Sequence, residues 1–166
     1  MRLRIAAEKD AALLRSWDRQ PHIIASKGSE DWGWEHELAR SPDWREQLIA
    51  EVEDHAIGFI QIIDPQREDG HYWGDCPSNL RAIDIWIGDE AYIGRGFGTQ
   101  MMQLSLARCF ANPNVVAAIV DPLFQNKAAR RFYEKCGFRL VERRRFGADD
   151  CAVYRIGREE WDEEIT

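Results

Sequence analysis

Three glycines spaced two apart stand in the run Ile93-Gly94-Arg95-Gly96-Phe97-Gly98-Thr99, which leads directly into an apolar-periodic segment over residues 101–110. Glycine leaves no side chain where a loop turns into a helix. The backbone N–H groups of a first helical turn lack partners inside the helix and stand open to an anion. Arg95 adds a mobile positive charge at the same place. The run therefore suits a phosphate or pyrophosphate, although glycines also collect at such turns because they tolerate positive φ. It is not a Walker loop, since no Gly-Lys-Ser/Thr follows, and its G-x-G-x-G spacing departs from the dinucleotide fingerprint.

Two carboxylates come next. Asp84 interrupts Arg81-Ala82-Ile83-Asp84-Ile85-Trp86-Ile87, where strand alternation puts the isoleucines on one face and Asp84 and Trp86 on the other. Buried there alone, a carboxylate costs several kcal/mol, so it needs a partner or a cavity. Asp121, in Val120-Asp121-Pro122, ends a second apolar run, and its Asp-Pro context also fits turn initiation. Nearer the start, Asp31-Trp32-Gly33-Trp34-Glu35 alternates acids with indoles. That pattern suits a cation, through charge and through the ring faces. Packing beneath a loop is the other reading of Trp32 and Trp34.

These groups must be positioned by regular elements. Strands are expected over residues 3–7, 47–52, 56–63, 81–87, 115–120, 139–144 and 152–156, with a hairpin turn at 53–55. Helices are expected over 10–18, from the glycine turn to 110, and over 125–136, the last stopped by Gly137. Residues 30–40 read as helix or loop, 66–79 as a long polar loop, and 158–166, around Trp161, as an interface or a frayed tail. The order gives an α/β protein with a mixed sheet of about seven strands and about four helices, folded as a single domain over 1–166. The crossover spanning 81–120 should be parallel and right-handed.

At 166 residues with a net charge of −7, the chain is poorly suited to binding nucleic acid, which needs a basic surface. Cys76, Cys109, Cys136 and Cys151 show no C-x-x-C spacing, so no metal site is expected. The start, Met1-Arg2-Leu3-Arg4-Ile5, lacks the apolar core of a signal peptide, and no run approaches bilayer length. A cytoplasmic protein, without a membrane partner, is expected.

From Asp84 to Gly137 the chain resembles the GNAT N-acetyltransferases: a strand, a glycine-rich turn, a helix, a strand, and a helix of the form N-x-x-A-x-x-x-Y-E-K-x-G-F. The last stands here as Asn126-Lys127-Ala128-Ala129-Arg130-Arg131-Phe132-Tyr133-Glu134-Lys135-Cys136-Gly137-Phe138. One departure is Ile93, where the family's turn usually begins with Gln or Arg. Within that superfamily the chain looks like the aminoglycoside 6′-N-acetyltransferases. Ala82-Ile83-Asp84 carries Asp where siderophore-type relatives tend to have His, and Val120-Asp121-Pro122, Asp69-Gly70-His71-Tyr72-Trp73 and Ala152-Val153-Tyr154 also fit.

The resemblance implies a GNAT fold, its sheet splayed between the fourth and fifth strands, with acetyl-CoA as cosubstrate. It implies pyrophosphate binding by the amides of Gly94, Arg95, Gly96, Phe97, Gly98 and Thr99, and pantetheine contacts from the strand carrying Asp84 and from Asn126 and Ala129. The oxyanion donor would be a backbone N–H near Trp86 or Ile87. Asp84 would be the base, Asp121 its electrostatic partner or the substrate anchor, and Tyr133 the proton donor to the leaving thiolate. Asp69, Asp75, Tyr72, Trp73, Trp32 and Trp34 would surround a polycationic amine, foremost the 6′-amine of an aminoglycoside. The alternatives are another amine (polyamine, siderophore precursor or protein N-terminus) and a coenzyme A-binding paralogue without turnover. The enzyme would be a monomer or homodimer.

Overall fold

A computed structural model describes residues 1–27 and 31–166. The strands are β1 (Arg2–Ile5), β2 (Arg45–Val52), β3 (His55–Ile63), β4 (Leu80–Ile87), β5 (Ala117–Val120), β6 (Arg139–Phe146) and β7 (Asp149–Gly157). The helices are α1 (Ala11–Asp18), α2 (Pro21–Lys27), α3 (Trp34–Ala39), α4 (Phe97–Phe110), α5 (Lys127–Lys135) and α6 (Arg158–Glu164).

All seven strands join one sheet in the order β1-β2-β3-β4-β5-β7-β6, and β4–β5 is its parallel pair. That pair is short. It runs through Leu80↔Ala117, Arg81↔Ala118 and Ala82↔Ile119, after which the strands part, leaving Ile83–Ile87 paired only with β3. The expected splay is thus present.

Alternation along the strands sorts the core into two faces. Ile83, Leu48, Ile60 and Tyr154 pack with Met101, Met102 and Leu106 of α4 and Tyr133 of α5. The opposite face holds two separate clusters. One gathers Ile49 and Phe59 with Leu14, Trp17 and Trp34, against which Trp86 rests. The other gathers Ala82, Ile119 and Val153 with Trp73. Between these two clusters, on the same face of β2, β3 and β4, lie Gln47, Gln61 and Asp84.

Several elements depart from expectation. The helix at 21–27 was not foreseen, because Pro21-His22-Ile23-Ile24 offers under two turns of period. The expected segment at 30–40 narrows to α3, and residue 30 lies outside the described residues. The β2–β3 hairpin closes on two residues, Glu53 and Asp54, both left-handed at φ 50° and 63°. That is primed-turn geometry without the glycine that usually announces it. The β6–β7 hairpin is equally tight, turning at Gly147 (φ 61°), so both strands outrun their expected ends. The C-terminal segment is neither frayed nor bare: α6 buries Trp161, which stacks on Phe110 with ring centres 6.1 Å apart.

Gly88, just after β4, fixes how closely α1 approaches the sheet. A Cβ there would stand 1.9 Å from Trp17 Cδ2, inside a buried and rigid ring. Gly88→Ala should therefore cost about 1–3 kcal/mol, the range for overpacking. A urea melt of the variant checks this, and an unshifted midpoint would refute the close approach.

Candidate active site

A cavity of about 610 Å³ opens where β4 and β5 separate. Ile83, Ile85, Asn126, Ala129 and Tyr133 line it from the α5 side; Trp32, Glu68, Tyr72, Trp73 and Trp86 line it from the other. It therefore reaches through the plane of the sheet. Continuing the β4–β5 register two residues beyond its last pair sets Asp84 opposite Asp121, so the two carboxylates face one another across the parting.

Asp84 takes a hydrogen bond from Gln61 Nε2 at 3.0 Å on its Oδ2. Arg81, the more obvious partner in sequence, pairs instead with Asp64 at 3.4 Å. Asp121 accepts from the Tyr72 hydroxyl at 2.5 Å. Tyr72 is held by stacking on Phe146 (centroids 4.5 Å apart, planes 7° off parallel), and Arg144 donates to the Trp73 carbonyl at 3.0 Å, so β6 anchors this stretch of loop.

Burial raises the proton affinity of both carboxylates. For Asp84 the Gln61 donor opposes it. For Asp121 the neighbouring Asp84 charge adds to burial and the Tyr72 donor opposes both. Glu68 is raised too, by burial and then by Asp84. The Tyr133 phenol is pushed well up by burial, with Asp84 and Asp121 reinforcing it, so it keeps its proton at any physiological pH. A cleft in which carboxylates hold protons unusually well, beside a phenol that stays neutral, is equipped for proton transfer near neutrality.

The glycine run also forms as expected. Gly94 and Gly96 are left-handed (φ 73° and 83°), and Gly96 caps α4. A Cβ at either would meet open space, so the turn lies accessible, with the N–H groups of Phe97, Gly98 and Thr99 free of intrahelical partners. Gly98 packs on the Phe132 ring, where a Cβ would come to 3.4 Å. Arg95 is folded back: its guanidinium lies 5.2 Å from both the Tyr92 and Phe97 ring centres.

The β4 edge needs a correction. The Gly88 N–H donates to the Ile57 carbonyl, and antiparallel alternation then turns the main chains of Trp86 and Asp84 toward β3. The Trp86 N–H is therefore not available to an oxyanion. Ile83, Ile85 and Ile87 face the parting, and the imidazole Nε2–H of His22, on α2, donates to the Ile87 carbonyl at 2.8 Å. The main-chain groups left for an added strand are those of Ile85 and the N–H of Ile87. Asn126 spends its Oδ1 on capping α5 through the Ala129 N–H at 3.1 Å, and the residue also lines the cavity.

The expected substrate residues divide. Trp32, Tyr72 and Trp73 line the cavity. Trp34 does not: it is 1% exposed, packs on Phe59, and gives its indole N–H to Asp18 Oδ2 at 2.6 Å. Asp69 and Asp75 are exposed and outside the lining, Asp69 pairing with Arg40 at 3.2 Å. The turns at 64–74 aim Glu68, Tyr72 and Trp73 inward and so aim Asp69 outward. Lining residues that sequence reasoning passed over are Gln47, Gln61, Glu68, Glu37, Arg45 and Asp149. Gln61 had a readable signal, an amide inside Gly-Phe-Ile-Gln-Ile-Ile; Glu68 had none. Two buried lining atoms, Glu68 Oε2 and Trp86 Nε1, have no hydrogen-bond partner among the described residues. Among the described residues no His, Cys, Asp and Glu group is arranged to hold a metal, and no helix is long and apolar enough to cross a membrane.

The model of the acetyltransferase (GNAT) domain family matches residues 6–146. The chain belongs to the GNAT family. Its curated relatives include an aminoglycoside N(6′)-acetyltransferase type 1 of Klebsiella pneumoniae, 29% identical over 150 residues, which span 82% of this chain and 72% of the relative. The lysine N-acyltransferase MbtK of Mycobacterium tuberculosis is 28% identical over 153 residues, 84% of this chain and 69% of the relative. Among solved structures, aminoglycoside acetyltransferase AAC(6′)-Ib in complex with coenzyme A superposes with a TM-score of 0.87 over 99% of this chain and 98% of that one, at 24% identity. The GNAT fold expected from sequence is thus present.

Because the Asp121 carboxyl binds protons more tightly folded than unfolded, it subtracts stability as pH rises above about 3.9, the unfolded value. Asp121→Asn should therefore melt higher than the parent at pH 8, with the gap closing toward pH 4. Melting curves at the two pH values check this; a variant less stable at pH 8 would overturn the assignment.

Proposed function

We propose that this protein is an acetyl-CoA-dependent N-acetyltransferase whose acceptor is a polycationic small molecule, foremost the 6′-amine of an aminoglycoside. The observation that carries the reading is the pairing of Asp84 and Asp121 across the parted strands, in a cavity that Glu68, Glu37, Asp31 and Asp149 also line. The 6′-acetyltransferase relative supports it.

The residues fit the cosubstrate by their donor set. Unpaired amides at the start of α4 suit a diphosphate, and the open β4 edge at Ile85 suits an extended amide chain. When bound, the thioester supplies an activated acyl group. Asp84 then takes the proton from the incoming ammonium at Oδ1, which accepts no hydrogen bond from the described residues, since Oδ2 is engaged by Gln61. Asp121, turned by Tyr72, and Glu68 hold cationic groups of the same acceptor, whose charge in turn favours ionised Asp84. The N–H of Ile85 or Ile87 offers a preorganised donor where negative charge develops on oxygen. Tyr133 holds its proton tightly and can donate a hydrogen bond from its hydroxyl to a thiolate as negative charge develops there. Trp32, Tyr72 and Trp73 give flat walls.

Thiol release from acetyl-CoA over a panel of aminoglycosides, spermidine and lysine derivatives tests the acceptor. Kanamycin-type sugars should turn over fastest, and preference for spermidine or lysine would reassign the substrate. In the same assay Asp84→Asn should lower turnover about 10²–10⁴-fold, the range for loss of a general base. Calorimetric affinity for coenzyme A should stay unchanged. Equal activity in the variant would remove Asp84 from the chemistry.

A further inference from the structure

Behind Asp84 the polar row continues into the sheet. Gln47 pairs in register with Gln61, and Gln61 with Asp84, so the three side chains stand abreast on β2, β3 and β4. Gln47 is 8% exposed and Gln61 6%. Gln47 Nε2 donates to Gln61 Oε1 at 2.9 Å, and Gln61 Nε2 donates to Asp84 Oδ2 at 3.0 Å.

The direction of this chain is fixed by what an amide can offer. Gln61 has one acceptor end and one donor end. With Oε1 engaged by Gln47, only its NH₂ group can face the carboxylate. Flipped, Gln61 would set oxygen against oxygen at Asp84 and nitrogen against nitrogen at Gln47, leaving buried groups mispaired. Apolar clusters flank the row, Phe59 and Trp86 on one side and Ile63 and Ala82 on the other. Two amides held in such surroundings form an expensive way to fill a sheet unless their hydrogen bonds serve the carboxylate at the end.

We propose that Gln61 is a positioning residue for acetyl transfer, locked in orientation by Gln47, and that it pins Asp84 Oδ2 so that Oδ1 faces the amine in its ionised form. This rests on the reading of Asp84 as the base. Charged and titratable groups sharing the cavity with Asp84, among the described residues, are Lys27 on α2, Glu37 on α3, Arg45 on β2, Asp31, Glu68 and Tyr72 on loops, Asp121 after β5, Tyr133 on α5, and Asp149 and Cys151 on β7. Arg45 is committed to Glu37, and Lys27 pairs with Asp18 at 3.1 Å. Asp121 and Glu68 oppose a charge on Asp84, and among the described residues Gln61 is its hydrogen-bond donor.

The test replaces the amides by methionine, which keeps the length of the side chain and removes the donor. In the Asp121→Asn background one member of the coupled pair no longer titrates. Carbon-13 carboxyl NMR, with the Asp84 signal assigned through Asp84→Asn, should then find Asp84 titrating about one pH unit higher in Gln61→Met. Gln47→Met should shift it less and in the same direction. With kanamycin as acceptor, the rising limb of kcat/KM should move upward by the same interval in the single variants. The amine's own titration is common to all of them, so the displacement belongs to the protein. An unmoved Asp84 signal overturns the proposal. So does a moved signal with an unmoved rate profile while Asp84→Asn is inactive. Full activity in Asp84→Asn instead overturns the base reading, and the proposal with it. If Gln61→Met does not fold, Gln47→Met carries the same NMR and rate comparison, and the absence of a shift there is decisive.

Discussion

The site depends on two parallel strands separating after three paired residues. Hydrogen bonding would otherwise carry β4 and β5 on together, and two buried carboxylates would be pressed side by side. Their separation leaves main-chain groups of β4 unpaired, a condition tolerated only where solvent or a bound chain can satisfy them. The same step creates the cavity, leaves the main chain of Ile85 without a strand partner on the β5 side and stations Asp84 and Asp121 on opposite rims. Each element of the site is a consequence of that one divergence.

Electrostatic balance around the parting is maintained by neutral donors more than by cations. Gln61 supports Asp84, and the Tyr72 hydroxyl supports Asp121. Neutral donors leave each carboxylate able to change protonation state, whereas an intimate guanidinium would fix it as an anion. Arg4 shows the contrast elsewhere in the molecule: it holds Asp10 and Glu51 below the usual carboxylate range. Groups meant to exchange protons and groups meant to stay charged have been given different neighbours.

The sequence carried the architecture well because local signals agreed with one another. The isoleucine alternation around Asp84, the glycine turn, and the Asn126-to-Phe138 helix each occupy the element their pattern implied. Asp84 and Tyr133 both reach the cavity for the same reason. Orientation within loops was not legible. Asp69 and Glu68 are adjacent acids in one polar stretch, and only the folded turns decide which faces inward. Trp34 and Trp32 pose the same problem, with the helix phase of α3 sending the former into the core. Long-range partners were equally hidden. Gln61 beside Asp84 is a matter of strand register, and Tyr72 on Asp121 joins residues 49 apart in sequence.

A passage lined from both faces of the sheet has a kinetic meaning. Reactants that arrive from opposite sides do not compete for one doorway, and whichever settles first becomes a wall for the second. Such a site has no need to carry the acyl group on a side chain of its own. The one thiol in its lining, Cys151, is pushed up to about 12 by burial and remains a poor nucleophile. Transfer would then be a single encounter in mid-sheet, sealed at each end by the molecules that react.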